Sequence, residues 1–309
     1  MEIERIGRLY RVQRLERAYK EQLSGYDEAT APEELFHPEN IGKRLAIDET
    51  SLSRGELYTI LTNKDTGKLI ALMEGTKASE ITAKLCANLP VAGRMAVGEI
   101  TLDMDSGFDW VTRQCFPNAE KIVDRFHVQK LVMECVQAIR IAERQKILMA
   151  RREAKKNAKR IREIPYENGD TPRELLARSR YLLFKPSRSW TERQKQRAVI
   201  LFREYPDLQT AYELSQSLKK LYDRKMPRET AAILLRQWCE ACDVSGIPEM
   251  QDAAATVLRH EGRILNFWNN RATNAFAESF NAKLKQFRGM LRGIRDTKFF
   301  LFRCQVYFA

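Results

Sequence analysis

The sequence predicts an α/β fold, a mixed β-sheet core interrupted by a large all-helical insertion. Three observations predict it. Short runs of apolar and β-branched residues alternate with turn signals between residues 44 and 124. From residue 127 the pattern becomes helical for more than a hundred residues, rich in Leu, Ala, Glu, Lys and Arg. The late stretch 272-ATNAFAESFNAKLKQF-287 is a strongly two-faced helix.

Taken in order, Ile6, Leu9, Val12 and Leu15 suggest one helix, followed by a polar segment with Pro32 and Pro38. LAIDETSL, ELYTILTN and KLIALMEG read as three strands, the last two joined through a DTG turn at 65–67. A helix over 79–88 follows, with Ser79 as its cap, then a strand at 98–104, a helix over 106–116 and a strand at 120–124. Three strands, helix, strand, helix, strand is the order of an RNase H-like core. The helical segments 127–163, 171–184, 190–204, 207–222 and 228–242 come next, broken near Pro165, Pro186, Pro206, Pro227 and Pro248. Four parts are expected: a helical arm (1–43), the first part of the core (44–129), a helical insertion (130–261) and a C-terminal core part (262–309).

A 44% hydrophobic content is enough to bury a core, and no run of about 18 uncharged apolar residues exists. The start, MEIERIGRLYRV, lacks the pattern of a secretion signal. Six scattered cysteines fit reduced thiols, so a reducing, cytoplasmic compartment is expected. The +12 charge is localised: residues 130–200 hold 19 Lys and Arg against 8 Asp and Glu, and residues 261–309 hold 9 against 3. Clustered cations of this kind suggest a track for a polyanion such as a phosphate backbone, with a solvated helix face as the equal alternative for 151–160. Arg151, Arg152, Lys155, Lys156, Lys159, Arg160, Lys283, Arg288, Arg292 and Arg295 are the candidate phosphate contacts.

Chemistry is expected at three carboxylates. Asp48 follows a buried apolar run in LAIDE, and Asp103 holds the corresponding place in ITLDM, on the strand that packs beside it in an RNase H-like sheet. Two adjacent carboxylates repel unless a cation compensates them, and hard oxygen ligands select Mg²⁺ or Mn²⁺. Glu278 completes a site for two ions. Helical spacing puts Phe276, Phe280, Leu284 and Phe287 in one stripe and Asn274, Glu278, Asn281 and Lys285 on the opposite face, so Asn274, Asn281 and Lys285 are secondary candidates. Asp105 and Asp124 compete with Asp103, and Glu49 with Asp48. Asp124 and His127, three residues apart in DRFHVQK, either flank the cleft or fix a strand–helix corner. The lone Cys239-x-x-Cys242 reads as a helical core pair. Trp190, Trp238 and Trp268 read as core residues, with one of them available to stack on a flipped base.

AIDETSLSRGELYTILTNK, CFPNAEKIVDRFHVQKL, ARSRYLLFK and NRATNAFAESFNAKLKQFRGMLRGIRDTKFFLFR resemble the insertion-sequence DDE transposases of the ISL-three group, and within it the ISAon-one subgroup. The resemblance implies Asp48, Asp103 and Glu278 as catalytic acids and the DRFHV motif at Asp124 and His127. It also implies metal-dependent cleavage and strand transfer at the ends of a mobile element by a homodimer or larger assembly. Larger relatives carry an N-terminal DNA-reading region, which the resemblance implies is a separately encoded partner here. An RNase H-like nuclease or resolvase, or an inactive DNA-binding derivative, are the rival readings.

Overall fold

The computed structural model describes residues 26–27, 29–52, 55–157, 163–270, 275–290 and 296–308, and for residues 270 and 275–278 it describes the backbone alone. The chain divides into two compact units, Met1–Asp124 with Ala272–Ala309, and Arg125–Arg271. The expected arm helix at residues 6–15 lies outside the described residues.

The first unit begins with β1 (Leu35–Phe36), β2 (Arg44–Ser51), β3 (Leu57–Asn63) and β4 (Leu69–Glu74). Then come α1 (Ala78–Asn88), α2 (Val91–Met95), β5 (Glu99–Leu102), α3 (Ser106–Cys115) and β6 (Glu120–Val123). The sheet order is β1-β4-β3-β2-β5-β6, antiparallel from β1 to β2 and parallel from β2 to β6. The five predicted strands occur in the predicted order, and β1 and α2 are additions to it. Asn63 Oδ1 accepts the backbone N–H groups of Asp65 and Thr66, and Gly67 takes φ +70°, which closes the β3–β4 hairpin. Parallel pairing needs crossovers, and α1, α2 and α3 supply them. Asp105 caps α3 by accepting from Gly107 N and Phe108 N. The cap expected of Ser79 is not made: α1 starts a residue earlier, after Lys77, without a side-chain cap bond.

The second unit carries α4 (Arg125–Lys156), α5 (Pro172–Arg178), α6 (Arg180–Leu183), α7 (Glu192–Glu204), α8 (Pro206–Asp223), α9 (Arg228–Val244), α10 (Pro248–Arg259), α11 (Glu261–Leu265) and α12 (Phe267–Asn270). The long α4 packs on α8 and α10, and α9 packs on both of those. The helix expected over 171–184 is split at Ser179, whose hydroxyl donates to Leu175 O at 2.6 Å. Pro206 and Pro248 open helices instead of ending them, because the first helical position needs no N–H. No described helix is long and apolar enough to cross a membrane.

The chain returns to the first unit with α13 (Ala275–Met290) and α14 (Thr297–Phe308). Strand alternation gives the sheet two apolar faces. Leu45, Ile47, Leu61, Ile100 and Leu102 pack under α1 and α3. Tyr58, Ile60 and Leu72 pack under Phe280, Leu284 and Phe287 of α13 and Phe300, Leu301 and Cys304 of α14.

In the helical unit, Asp170 is 1% exposed and takes hydrogen bonds from Arg197 Nε at 2.7 Å and from Arg178 Nη1. Burial alone would raise its pKa, but the two guanidinium groups outweigh that and hold it below the ordinary 3.8. A depressed native pKa gives stability that is complete above the unfolded value and is lost as pH falls through the native one. Asp170→Asn is therefore expected to cost about 3 kcal/mol in urea unfolding at pH 7 and to flatten the loss of stability below pH 3.8. An unchanged midpoint at pH 7 contradicts this account.

Candidate active site

Asp48 sits in the middle of β2, 7% exposed, on the sheet face that α13 covers. Its Oδ1 accepts from Glu49 N at 2.8 Å, and its Oδ2 accepts from Asn281 Nδ2 at 2.7 Å. Glu49, one residue on, points to the other face by strand alternation and is exposed.

The parallel ladder sets what lies beside Asp48. Arg44↔Glu99, Leu45↔Ile100 and Ala46↔Thr101 fix the register of β2 and β5, and two further steps bring Asp103 opposite Asp48. On the other side, Leu102↔Val123 is continued by a bond from Asp124 N to Leu102 O, which brings Asp124 opposite Asp103. Asp48, Asp103 and Asp124 thus share one row of the register, Asp103 and Asp124 each one residue past the end of its strand. Asp103 Oδ1 accepts from Asp105 N at 2.7 Å. Asp105 itself is occupied as the α3 cap, which separates it from the row. Asp124 is 2% exposed and directly follows β6.

Below the row, on the same face, Lys64 Nζ donates to Glu99 Oε1 at 2.7 Å and to Thr101 Oγ1 at 2.6 Å. Burial pushes the Lys64 pKa down, opposed by Glu99 and by the charge of Asp124. Sequence reasoning missed this pair. Its signal was present in GEITLD, where Glu99, Thr101 and Asp103 alternate with the apolar positions.

The late helix supplies the fourth wall. Asn281 lies about 100° around α13 from Phe280, on the flank of the apolar stripe that meets the sheet and not opposite it as expected. Arg288, expected to contact phosphate, lies on the same flank and is 6% exposed. It pairs with Glu56 at 2.9 Å and stacks over the Phe300 ring at 4.9 Å, so its charge is satisfied within the fold. Lys283 and Lys285 are exposed. Glu278 belongs to α13, one turn before Asn281, and its side chain lies outside the described residues. So do all of Asn274, Lys159, Arg160, Arg292 and Arg295.

In the helical unit, His127 stands in the first turn of α4 against the Phe126 ring. At the far end of α4, Arg152, Lys155 and Lys156 are exposed, and Arg151 pairs with Glu163 at 2.8 Å. Cys239 and Cys242 are free thiols buried in the core, as expected. Trp238 and Trp268 are buried, and Trp190 is half-buried. Among the described residues no group of three or more His, Cys, Asp or Glu gathers as a ligand set. Asp48 and Asp103 carry the hard oxygen donors that Mg²⁺ or Mn²⁺ takes, and the Asn281 amide and Glu49 N–H are neutral donors to Asp48.

An α/β protein with carboxylates on adjacent parallel strands, one of them bonded to a late helix, is the class these features define. A family model described as a transposase, that of the ISL3-type DDE transposases, matches residues 45–304, and the chain belongs to this family. Two relatives are the transposase for insertion sequence element IS1557 of Mycobacterium tuberculosis, 27% identical over 264 residues, and that for IS1001 of Bordetella parapertussis, 23% identical over 266 residues. These matches cover 82% and 85% of this chain, which spans 57% and 60% of the two relatives' lengths. No solved structure gives a significant match.

The Glu56–Arg288 pair sets a stability prediction. Because Glu56 keeps 21% of its side-chain exposure, Arg288→Met is expected to cost about 2 kcal/mol, less than a fully buried broken pair. Thermal unfolding measures it, and a variant as stable as the parent refutes a structural role for Arg288.

Proposed function

We propose that this chain is a metal-dependent DNA transposase of the RNase H-like class that cleaves and joins DNA at the ends of an insertion sequence. The observation that carries the reading is the parallel register that aligns Asp48 with Asp103, together with the Asn281 bond to Asp48 from the helix that bears Glu278. Membership of the DDE family supports it. Within that family the long motifs favour the ISAon-one subgroup.

Asp48, Asp103 and Glu278 would hold two Mg²⁺ or Mn²⁺ ions. When bound, such a pair lowers the pKa of an attacking water or 3′-hydroxyl and stabilises the leaving oxygen of an in-line displacement. The remaining roles belong to the chain. Asn281 and the Glu49 N–H fix the orientation of the Asp48 carboxylate, one on each oxygen. Asp124 and His127 are auxiliary groups beside the cleft, with Asn274 and Lys285 further along the late helix. The Lys64–Glu99 pair braces β5 beneath the row. Residues 125–271 act as an insertion into the RNase H-like core. Arg151, Arg152, Lys155, Lys156, Lys159, Arg160, Lys283, Arg292 and Arg295 grip the phosphates of transposon ends and target without reading sequence. A homodimer pairs two ends, and a separately encoded DNA-reading protein selects them.

The test is a strand-transfer assay on oligonucleotides bearing the element's ends, with Mg²⁺. Asp48→Asn, Asp103→Asn and Glu278→Gln are each expected to lower joining by about 10²- to 10³-fold, the loss of several kcal/mol of transition-state stabilisation. Asn281→Ala is expected to lower it less. Retained joining by any of the three carboxylate variants removes that residue from the site. Hydrolysis without joined product would move the assignment to a nuclease.

A further inference from the structure

The helical unit contains a cleft of about 930 Å³, lined by α7, α8 and the segment before α7. That volume lies within the range of ordinary ligand clefts, roughly 300–1,000 Å³. Trp190 and Phe202 form part of its lining and are half-buried, and Tyr212 lies between them, 4% exposed. The three rings form a mutual cluster: Trp190 to Tyr212 is 5.4 Å between centroids, Phe202 to Tyr212 is 5.5 Å, and Trp190 to Phe202 is 6.2 Å.

The polar handles of these rings are already used. Trp190 Nε1 donates to Leu182 O at 2.8 Å, and the Tyr212 hydroxyl donates to Lys185 O at 2.9 Å. What they leave to an occupant is ring surface, which supports stacking without hydrogen-bond selection. The described lining also carries Arg188, Lys219, Lys220 and Arg224 against Glu213 and Asp223. Asp223 is answered by Arg125 at 3.5 Å, so the rim is cationic. An aromatic floor under a cationic rim matches a ligand with a flat π-face and an attached anion.

We propose that this cleft takes an unpaired DNA nucleotide, its base against Trp190 and its phosphates at Lys219 and Lys220. A fully paired duplex offers phosphates but keeps its base faces stacked, so the aromatic floor would add nothing. This assignment rests on the transposase reading for its choice of DNA. It concerns a surface wholly within the helical unit, apart from the carboxylate row.

The experiment uses the full chain carrying Asp48→Asn, without divalent cation, so that binding is read apart from cleavage. Fluorescence measures its affinity for a duplex with one central unpaired 2-aminopurine, against the same duplex fully paired. Tighter binding of the unpaired form and quenching of its 2-aminopurine are expected. Trp190→Ala should remove both, with a loss of about tenfold in affinity. Lys219→Gln with Lys220→Gln, on the rim, should reduce the slope of log affinity against log salt by roughly 1.8. This second variant keeps the test decisive if Trp190→Ala does not fold. Equal binding of both duplexes, or variants that match the parent, overturns the proposal. Preferential displacement of the DNA by a poly-glutamate peptide from the parent, lost in the lysine variant, would assign the cleft to an acidic peptide and overturn it too. Binding that behaves as expected in a chain whose Asp48→Asn substitution leaves joining intact would sink the active-site assignment alone.

Discussion

A single hydrogen bond of 2.7 Å joins Asn281 Nδ2 to Asp48 Oδ2 across 233 residues of sequence. It depends on α13 lying flat over the sheet, which Phe280, Leu284 and Phe287 enforce by burying themselves against Tyr58, Ile60 and Leu72. Losing any one of those aromatic side chains to Ala would forfeit about 3–5 kcal/mol of packing. The same face is apolar on β3 and β4 and polar at Asp48 of β2 and at Glu99 and Thr101 of β5. Packing energy on one half therefore sets the geometry of the other.

The carboxylate row costs energy, since three acidic side chains on neighbouring strands repel. Part of the offset is local. Asp48 and Asp103 each accept a backbone N–H, and the buried ammonium of Lys64 lies one row below, close enough to Asp124 to feel its charge. The buried ion pairs Lys64–Glu99 and Arg288–Glu56 lock β5 and α13 on either side of the carboxylate row.

Much of this was legible in the sequence because it is local. Alternation gave the strands and the DTG turn gave the hairpin. The helices from Pro248 to Asn270 are not legible in the sequence, because a proline reads equally as a break and as a first helical residue, which is where Pro248 serves. The two-residue β1 is too short to carry a period. Arg288 and Glu56 are 232 residues apart, and nothing in a charge's own neighbourhood reveals a partner at that distance. Asn281 was placed on the wrong side of α13 because periodicity separates apolar from polar but does not say which flank a sheet will engage.

The most direct measurement is anomalous diffraction from crystals of the chain soaked in Mn²⁺. Density about 2.1 Å from carboxylate oxygens of both Asp48 and Asp103, and also reaching Glu278, is the result expected of a shared hard-cation site. Ordered Asp48 and Asp103 side chains with no density between them, at Mn²⁺ concentrations that support activity, would contradict it.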